Sequence, residues 1–326
     1  MSIKKIIIDC DCGTDDAVAL VLLISAHKLK KIEIKAITCV AGNAPVDCVV
    51  KNVFRTLQVC DSLDIPVYKG AHSSLISIER TVKAADLSYH GSDGFGDYYK
   101  DNVDISKLQD EHAVVAIKNI INKYPNEISV LCLAPLTNIA LVIKMFPEIL
   151  DNVKDFYAMG GNSTAKGNTT SQAEFNFYID PESVHIVLES NKKPFWLLPW
   201  ETCIKSTLTH DWRYNVLGKL NTKTIELINN AEKSIVLKAE KNKKYQPCDA
   251  IIAGIILDSK LIEEVHDYHA DIELAGSKTR GQVVLDHLQT NKSNIWLIEN
   301  INFDRFKELL LSAFDETYEP NILKTL

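Results

Sequence analysis

Residues 5–17 read Lys5-Ile6-Ile7-Ile8-Asp9-Cys10-Asp11-Cys12-Gly13-Thr14-Asp15-Asp16-Ala17. Lys5–Cys10 is a β-branched run that predicts a strand, and a buried helix reads from Asp15 to His27. Asp16 stands at the start of that helix, with Ala17, Leu20, Leu23 and Ile24 below it. Asp9 and Asp11 share parity at the strand end, Gly13 lets the chain turn, and Asp15-Asp16 enter a helix N-terminus, where anions are favoured. Four carboxylates so close together beside apolar strands repel one another. A hard cation with oxygen ligands is the simplest offset. The bland alternative is that Asp15 or Asp16 only caps the helix while the others face solvent.

Outward from this stretch, strand and helix alternate. Ile32–Val40, Ile65–Tyr68, Glu127–Ala134, Phe156–Met159 and Pro194–Pro199 read as strands. Val46–Val59 and Leu136–Met145 read as helices, the latter started by Pro135. This is the pattern of an α/β protein with an open, mostly parallel sheet and helices on both faces. Polar residues, glycine or asparagine follow several strands at their C-terminal ends, where such sheets place ligands. Asn221–Lys244 is polar and predicts a peripheral long helix and loop. From His266 to Ile301 additional C-terminal strands are expected, joined by Gly276–Arg280 and Thr290–Ser293, before a last helix, Asp304–Phe314. With no repeat or linker, residues 1–326 are expected to form a single domain.

The chain has 326 residues, 46% of them hydrophobic and 24% charged, with a formal net charge of -7. That balance gives no basic stripe for nucleic acid and suits a small neutral or cationic ligand, or a metal held by carboxylates. The N-terminus is too soon interrupted by charge for a signal peptide, and no segment is long enough for a membrane span. The eight cysteines lack zinc-ribbon spacing, and Cys39 and Cys132 lie in apolar runs as small core residues. Reduced thiols point to a cytoplasmic location. An aspartyl-nucleophile phosphatase fits poorly, since its lysine and later acidic pair have no convincing place. Gly91–Gly96 and Gly160-Gly161 lack the lysine and hydroxyl of a phosphate-binding loop.

Five segments in order resemble the nucleoside hydrolase family of the inosine-uridine preferring type, across almost the whole chain. They are Ile6–Ala17; Gly42-Asn43; Pro135-Leu136-Thr137-Asn138-Ile139-Ala140; Met159-Gly160-Gly161; and Asn168 with Glu174-Phe175-Asn176 and Asp180-Pro181. The resemblance implies calcium-dependent hydrolysis of the N-glycosidic bond of ribonucleosides to free base and ribose. It implies Ca2+ held by Asp11, Asp16, Asp249 and the backbone carbonyl of Leu133, with Asp11 as general base. Asp15 would hold the 2′-hydroxyl, Asn43 and Asn176 the 3′-hydroxyl, and Asn168 and Glu174 the 5′-hydroxyl. The expected partner is a small ribonucleoside, with no nucleic acid or membrane, and the expected assembly is a homo-oligomer, a dimer or tetramer. An exposed apolar strand edge or helix near Val265–Leu274 is a candidate dimer interface.

Each of these residues also has a plain structural reading. Asn43 could cap the next helix, Asn168 could supply turn geometry after Gly167, and Asp249 could cap the apolar helix Ala250–Leu257. Glu174 and Asn176 share parity around Phe175, which fits a short extended segment. The chain departs from the family at Cys248, where well-known members carry a histidine that protonates the leaving base. An imidazole suits neutral pH better than a thiol. Cys248 is therefore either an acid or a small lining residue, and His90 is the alternative acid. At Pro199-Trp200-Glu201-Thr202, Trp200 could stack on the base or simply pack, and Glu201 could hydrogen-bond nearby. Hydrolysis of another N-ribosyl compound, such as nicotinamide riboside, and a catalytically silent nucleoside-binding role are the other readings.

Overall fold

Strand β1 (Lys4–Cys10) sends alternate side chains to opposite faces, as the two-residue strand period demands. Ile6 and Ile8 join one hydrophobic core with the helices Thr14–Lys28, Val46–Val59, Cys248–Leu257 and Phe303–Phe314. Ile7 joins the other, with the helices Ala113–Lys123, Thr137–Met145 and Pro181–Ser190. Burial on both faces is why the strand is apolar throughout rather than alternating. The computed structural model describes residues 3–76, 89–236 and 243–326.

The remaining strands are β2 (Ile32–Cys39), β3 (Val67–Lys69), β4 (Leu108–Gln109), β5 (Ile128–Cys132), β6 (Asp155–Met159), β7 (Phe195–Leu198), β8 (Ile262–Tyr268), β9 (Ala270–Ile272), β10 (Val283–Leu285) and β11 (Ile295–Ile301). Nine form one sheet in the order β4-β3-β2-β1-β5-β6-β7-β11-β8. All its pairs are parallel except β11 with β8, which is antiparallel. The chain leaves β1 toward β2 and β3, then returns to place β5 on the other side of β1. This reversal opens a crevice beyond the C-terminal ends of β1 and β5, the position where open α/β sheets bind ligands. The expected C-terminal strands divide: β8 and β11 complete the main sheet, while β9 and β10 form a separate antiparallel pair.

Two helices are buried nearly all round. Thr14–Lys28 and Cys248–Leu257 pack together in the core, and their apolar sequences have no polar face to give solvent. Gly254 permits the second helix to lie close, since a Cβ there would meet Leu261, Phe306 and Leu309 at 3.0–3.3 Å. The polar stretch Asn221–Lys244 contains the helices Lys223–Ala231 and Lys233–Val236, and its part at 237–242 lies outside the described residues. Glu174–Asn176 is not extended. Glu174 instead caps the short helix Phe175–Ile179, accepting the N–H groups of Asn176 and Phe177, so a carboxylate at an N-cap outweighed strand parity.

Candidate active site

The helices Thr14–Lys28 and Cys248–Leu257 both start at the crevice, bringing Asp15, Asp16 and Asp249 together at two helix N-termini. One carboxylate oxygen from each of the three lies within 4.8 Å of the others. Asp11, Asp16 and Asp249 are buried. Asp16 accepts the N–H of Gly13 at 2.8 Å through Oδ2, while its Oδ1 and the Oδ1 of Asp15 are buried with no hydrogen-bond partner. Burial, then the charges of Asp11 and Asp15, hold the Asp16 carboxyl well above the usual range; burial, then Asp15 and Asp16, do the same to Asp249. Buried carboxylate oxygens without partners are costly, and a bound hard cation removes both the orphaning and the repulsion. The donor set, all carboxylate oxygen, fits calcium.

Asp11 follows β1 and is held from β2. Its Oδ2 accepts the main-chain N–H of Asn43 at 2.7 Å, and its Oδ1 accepts the Asn43 amide at 3.1 Å. Burial pushes its pKa up to about 8, against the lowering effect of the Asn43 N–H, with Asp15 adding repulsion. Asp9 lies behind, tied to Thr38 at 2.6 Å and Asn138 at 2.8 Å, and burial raises it to about 6. Asn43 is thus a carboxylate holder rather than the cap of the next helix, whose N-cap position is Pro45.

Above the cluster lies a cavity of about 630 Å³, lined among others by Asp15, Asn43, His90, Leu133, Asn168, Glu174, Asn176, Trp200, Cys248 and Asp249. Its polar side is built by loops after β5, β6 and β7. Asn176 donates through its amide to the carbonyl of Leu133 at 3.0 Å and of Met159 at 3.1 Å. Glu174 is buried, accepts the N–H of Gly161 at 2.7 Å, and is raised to about 7 by burial. Asn168, at the exposed rim, accepts the N–H of Phe175 at 2.8 Å, so it does more than shape a turn. His90 Nδ1 accepts the N–H of Thr14 at 3.2 Å, which leaves Nε2 as the protonated nitrogen, 3.6 Å from Asp15 Oδ1.

The structure thus brings all eleven predicted side-chain positions to one cluster or its cavity: nine line the cavity, Asp16 lies in the carboxylate cluster, and Asp11 lies beside it through Asn43. Trp200 lines the cavity while also packing on the core. Cys248 is buried, with Sγ 3.4 Å from the Gln246 carbonyl; the neighbouring Cys203 thiol and burial push its own thiol well above the usual range. Glu201 does not point to a ligand. Its carboxylate accepts Ser163 N at 2.8 Å, Thr164 N at 2.7 Å, Thr164 Oγ1 at 2.9 Å and Lys166 N at 3.2 Å, because the loop after β6 needs acceptors. Sequence reasoning missed His210 and Tyr89, which also line the cavity. Neither lies in a motif; His210 is delivered there by a backbone pairing that no local pattern announces.

This is the architecture of a metal-assisted hydrolase of small polar substrates. The family model for inosine-uridine preferring nucleoside hydrolases matches residues 6–308. An inosine-uridine preferring nucleoside hydrolase of Crithidia fasciculata is 30% identical, with 97% of this chain and 99% of the relative aligned. A pyrimidine-specific ribonucleoside hydrolase of Salmonella arizonae is also 30% identical, over 94% and 96%. An inosine-guanosine nucleoside hydrolase of known structure superposes with a TM-score of 0.87 at 26% identity, over 96% of this chain and 99% of that one. The chain belongs to the inosine-uridine preferring nucleoside hydrolase family. It is an enzyme, an N-ribosyl hydrolase, and Asp15, Asp16 and Asp249 form its calcium cluster. Among the described residues no helix is long and apolar enough to cross a membrane.

Proposed function

We propose that residues 1–326 act as one nucleoside hydrolase domain that cleaves inosine- and uridine-type ribonucleosides to free base and ribose. The observation that carries this reading is the pair of orphaned oxygens, Asp15 Oδ1 and Asp16 Oδ1, in a carboxylate cluster whose Asp15 and Asp249 line a cavity with Asn43, Glu174 and Asn176. Asp11, Asp16, Asp249 and the Leu133 carbonyl would hold calcium, which supplies a fixed positive charge that orients the sugar diol and acidifies water. Asp15 would take the 2′-hydroxyl, Asn43 and Asn176 the 3′-hydroxyl, and Asn168 and Glu174 the 5′-hydroxyl.

Cleavage joins a water oxygen to C1′ while the C1′–N electron pair leaves with the base. Asp11, fixed by its two bonds from Asn43, takes the water's proton. Positive charge grows on the ribose ring as the bond breaks, and the surrounding carboxylates stabilise it where it develops. Cys248 stands where a leaving-group histidine is expected and shapes the wall, its hydrogen already directed to Gln246. His90, which lines the cavity, is the better alternative acid, and Trp200 offers a face for the base. The enzyme would work in the cytoplasm as a homo-oligomer, the exposed edge strand β8 being a candidate contact.

The test is reducing-sugar release from inosine, uridine, cytidine, adenosine and guanosine, with and without a calcium chelator, beside the Asp11→Ala variant. Release that the chelator and the variant each abolish supports the reading. Absence of release from every nucleoside by the unaltered protein would make it a silent binder.

A further inference from the structure

His210 is 8% exposed, yet it lines the active-site cavity, and its Nδ1 is buried with no hydrogen-bond partner. Its ring stacks on Tyr214 at 5.9 Å between centroids and meets Tyr245 edge-on at 5.8 Å. The guanidinium one turn further on, Arg213, is occupied by Glu232 at 2.9 Å and Asn229 at 2.9 Å, and so holds that wall without claiming the imidazole. Buried polar groups are nearly always bonded, so an unpartnered buried Nδ1 constrains which ring nitrogen carries the proton.

The backbone places this ring where the chemistry lacks a group. His210 N–H donates to the Lys243 carbonyl at 3.0 Å, and Tyr245 N–H donates to the Leu208 carbonyl at 2.8 Å. Segments 208–210 and 243–245 therefore run antiparallel, immediately before Pro247-Cys248-Asp249. This pairing ties His210 to the segment that leads into Cys248, and both residues line the cavity. A neutral imidazole carries one proton. With Nδ1 closed in among aromatic rings, an acceptor there is less costly than an N–H, which leaves the proton on Nε2 for the cavity.

We propose that His210 is a base-recognition residue, its Nε2–H donating to a ring-nitrogen or carbonyl acceptor of the nucleobase. The inference rests on the nucleoside reading above and adds the residue that meets the leaving base from outside the motif positions. Bases with an acceptor away from the glycosidic nitrogen are its substrates. A leaving group without one gains nothing from it.

The experiment compares His210→Ala and His210→Gln with the unaltered calcium-loaded enzyme on inosine, uridine and phenyl riboside, whose leaving group has no acceptor beyond the glycosidic atom. His210→Ala is expected to lower kcat/KM for both nucleosides about tenfold or more while changing phenyl riboside less than about twofold. His210→Gln, which keeps an N–H donor, is expected to recover part of the loss. Equal losses on all three substrates would show a structural role and overturn the proposal, as would no loss on the nucleosides. Should the unaltered protein cleave no nucleoside, the function reading fails separately. Inosine affinity by calorimetry then decides the matter, with an unchanged affinity in His210→Ala overturning the role of His210.

Discussion

Asn43 grips both oxygens of Asp11, its main-chain N–H on Oδ2 at 2.7 Å and its side-chain amide on Oδ1 at 3.1 Å. The residue before it makes that grip possible. A Cβ on Gly42 would fall 2.0 Å from Asp11 Oδ2 and 2.9 Å from Pro135 Cδ. Gly42→Ala is therefore expected to displace Asp11, the proposed general base, and lower kcat/KM by about 10²-fold or more, since small misplacements of reacting groups are costly. Asn43→Ala keeps the main-chain bond and should lose less than Gly42→Ala does. Steady-state kinetics with circular dichroism on both variants checks the order, and the reverse order contradicts the assignment.

Calcium removal should make stability depend on pH in a particular direction. Asp9, Glu174 and Asp11 are raised by burial to about 6, 7 and 8 in the folded chain. The metal-free fold therefore binds more protons than the unfolded chain between the ordinary carboxylate range and about pH 8. Stability contributed by these groups is present below that ordinary range and is lost as pH rises through 6 to 8, by about 1.4 kcal/mol per pH unit for each proton released. Thermal melts in chelator should show a lower Tm at pH 8 than at pH 5, and added calcium should close the gap. A higher Tm at pH 8 in chelator would refute the cluster's electrostatics.

The orphaned Asp15 oxygen predicts discrimination by the sugar. In the proposed binding mode a 2′-deoxynucleoside leaves this carboxylate and the cation short of a partner, and a site built to bond a hydroxyl rejects the analogue without it. Deoxyinosine is expected to have a kcat/KM roughly 10²-fold or more below that of inosine. Equal efficiencies would place the 2′-hydroxyl elsewhere.

Glu201 organises the loop that leads to Asn168. Replacing it by glutamine leaves one acceptor oxygen where four donors of Ser163, Thr164 and Lys166 now converge on two. Glu201→Gln should cost about 1–3 kcal/mol of stability and raise KM several-fold with little change in kcat, because the loop positions substrate rather than performing chemistry. Melting curves and kinetics on inosine separate this from a direct catalytic role, which would lower kcat first.

The order of strands and helices was legible because burial on both faces writes apolar runs such as Ile6–Ile8 into the chain. The carboxylate cluster was legible because Asp9, Asp11, Asp15 and Asp16 are local. Glu174 misled because a carboxylate can serve equally as strand decoration or as helix cap, and its acceptance of the Asn176 and Phe177 N–H groups makes it the cap. Glu201 misled for a similar reason: its acceptor demand comes from a loop nearly forty residues upstream in sequence. His210 was invisible because its place depends on the pairing of 208–210 with 243–245, a contact between two segments without distinguishing pattern.

The packing of Thr14–Lys28 against Cys248–Leu257 has a consequence for how the molecule is made. Asp16 leaves the ribosome before Asp249, which lies 233 positions further along the chain. Until that second buried helix arrives, the first has no neighbour for much of its apolar surface, and the calcium cluster lacks one of its three acidic members. The enzyme is thereby kept from assembling its reactive centre during synthesis, and truncated chains ending before residue 248 carry the opening motif without a working site.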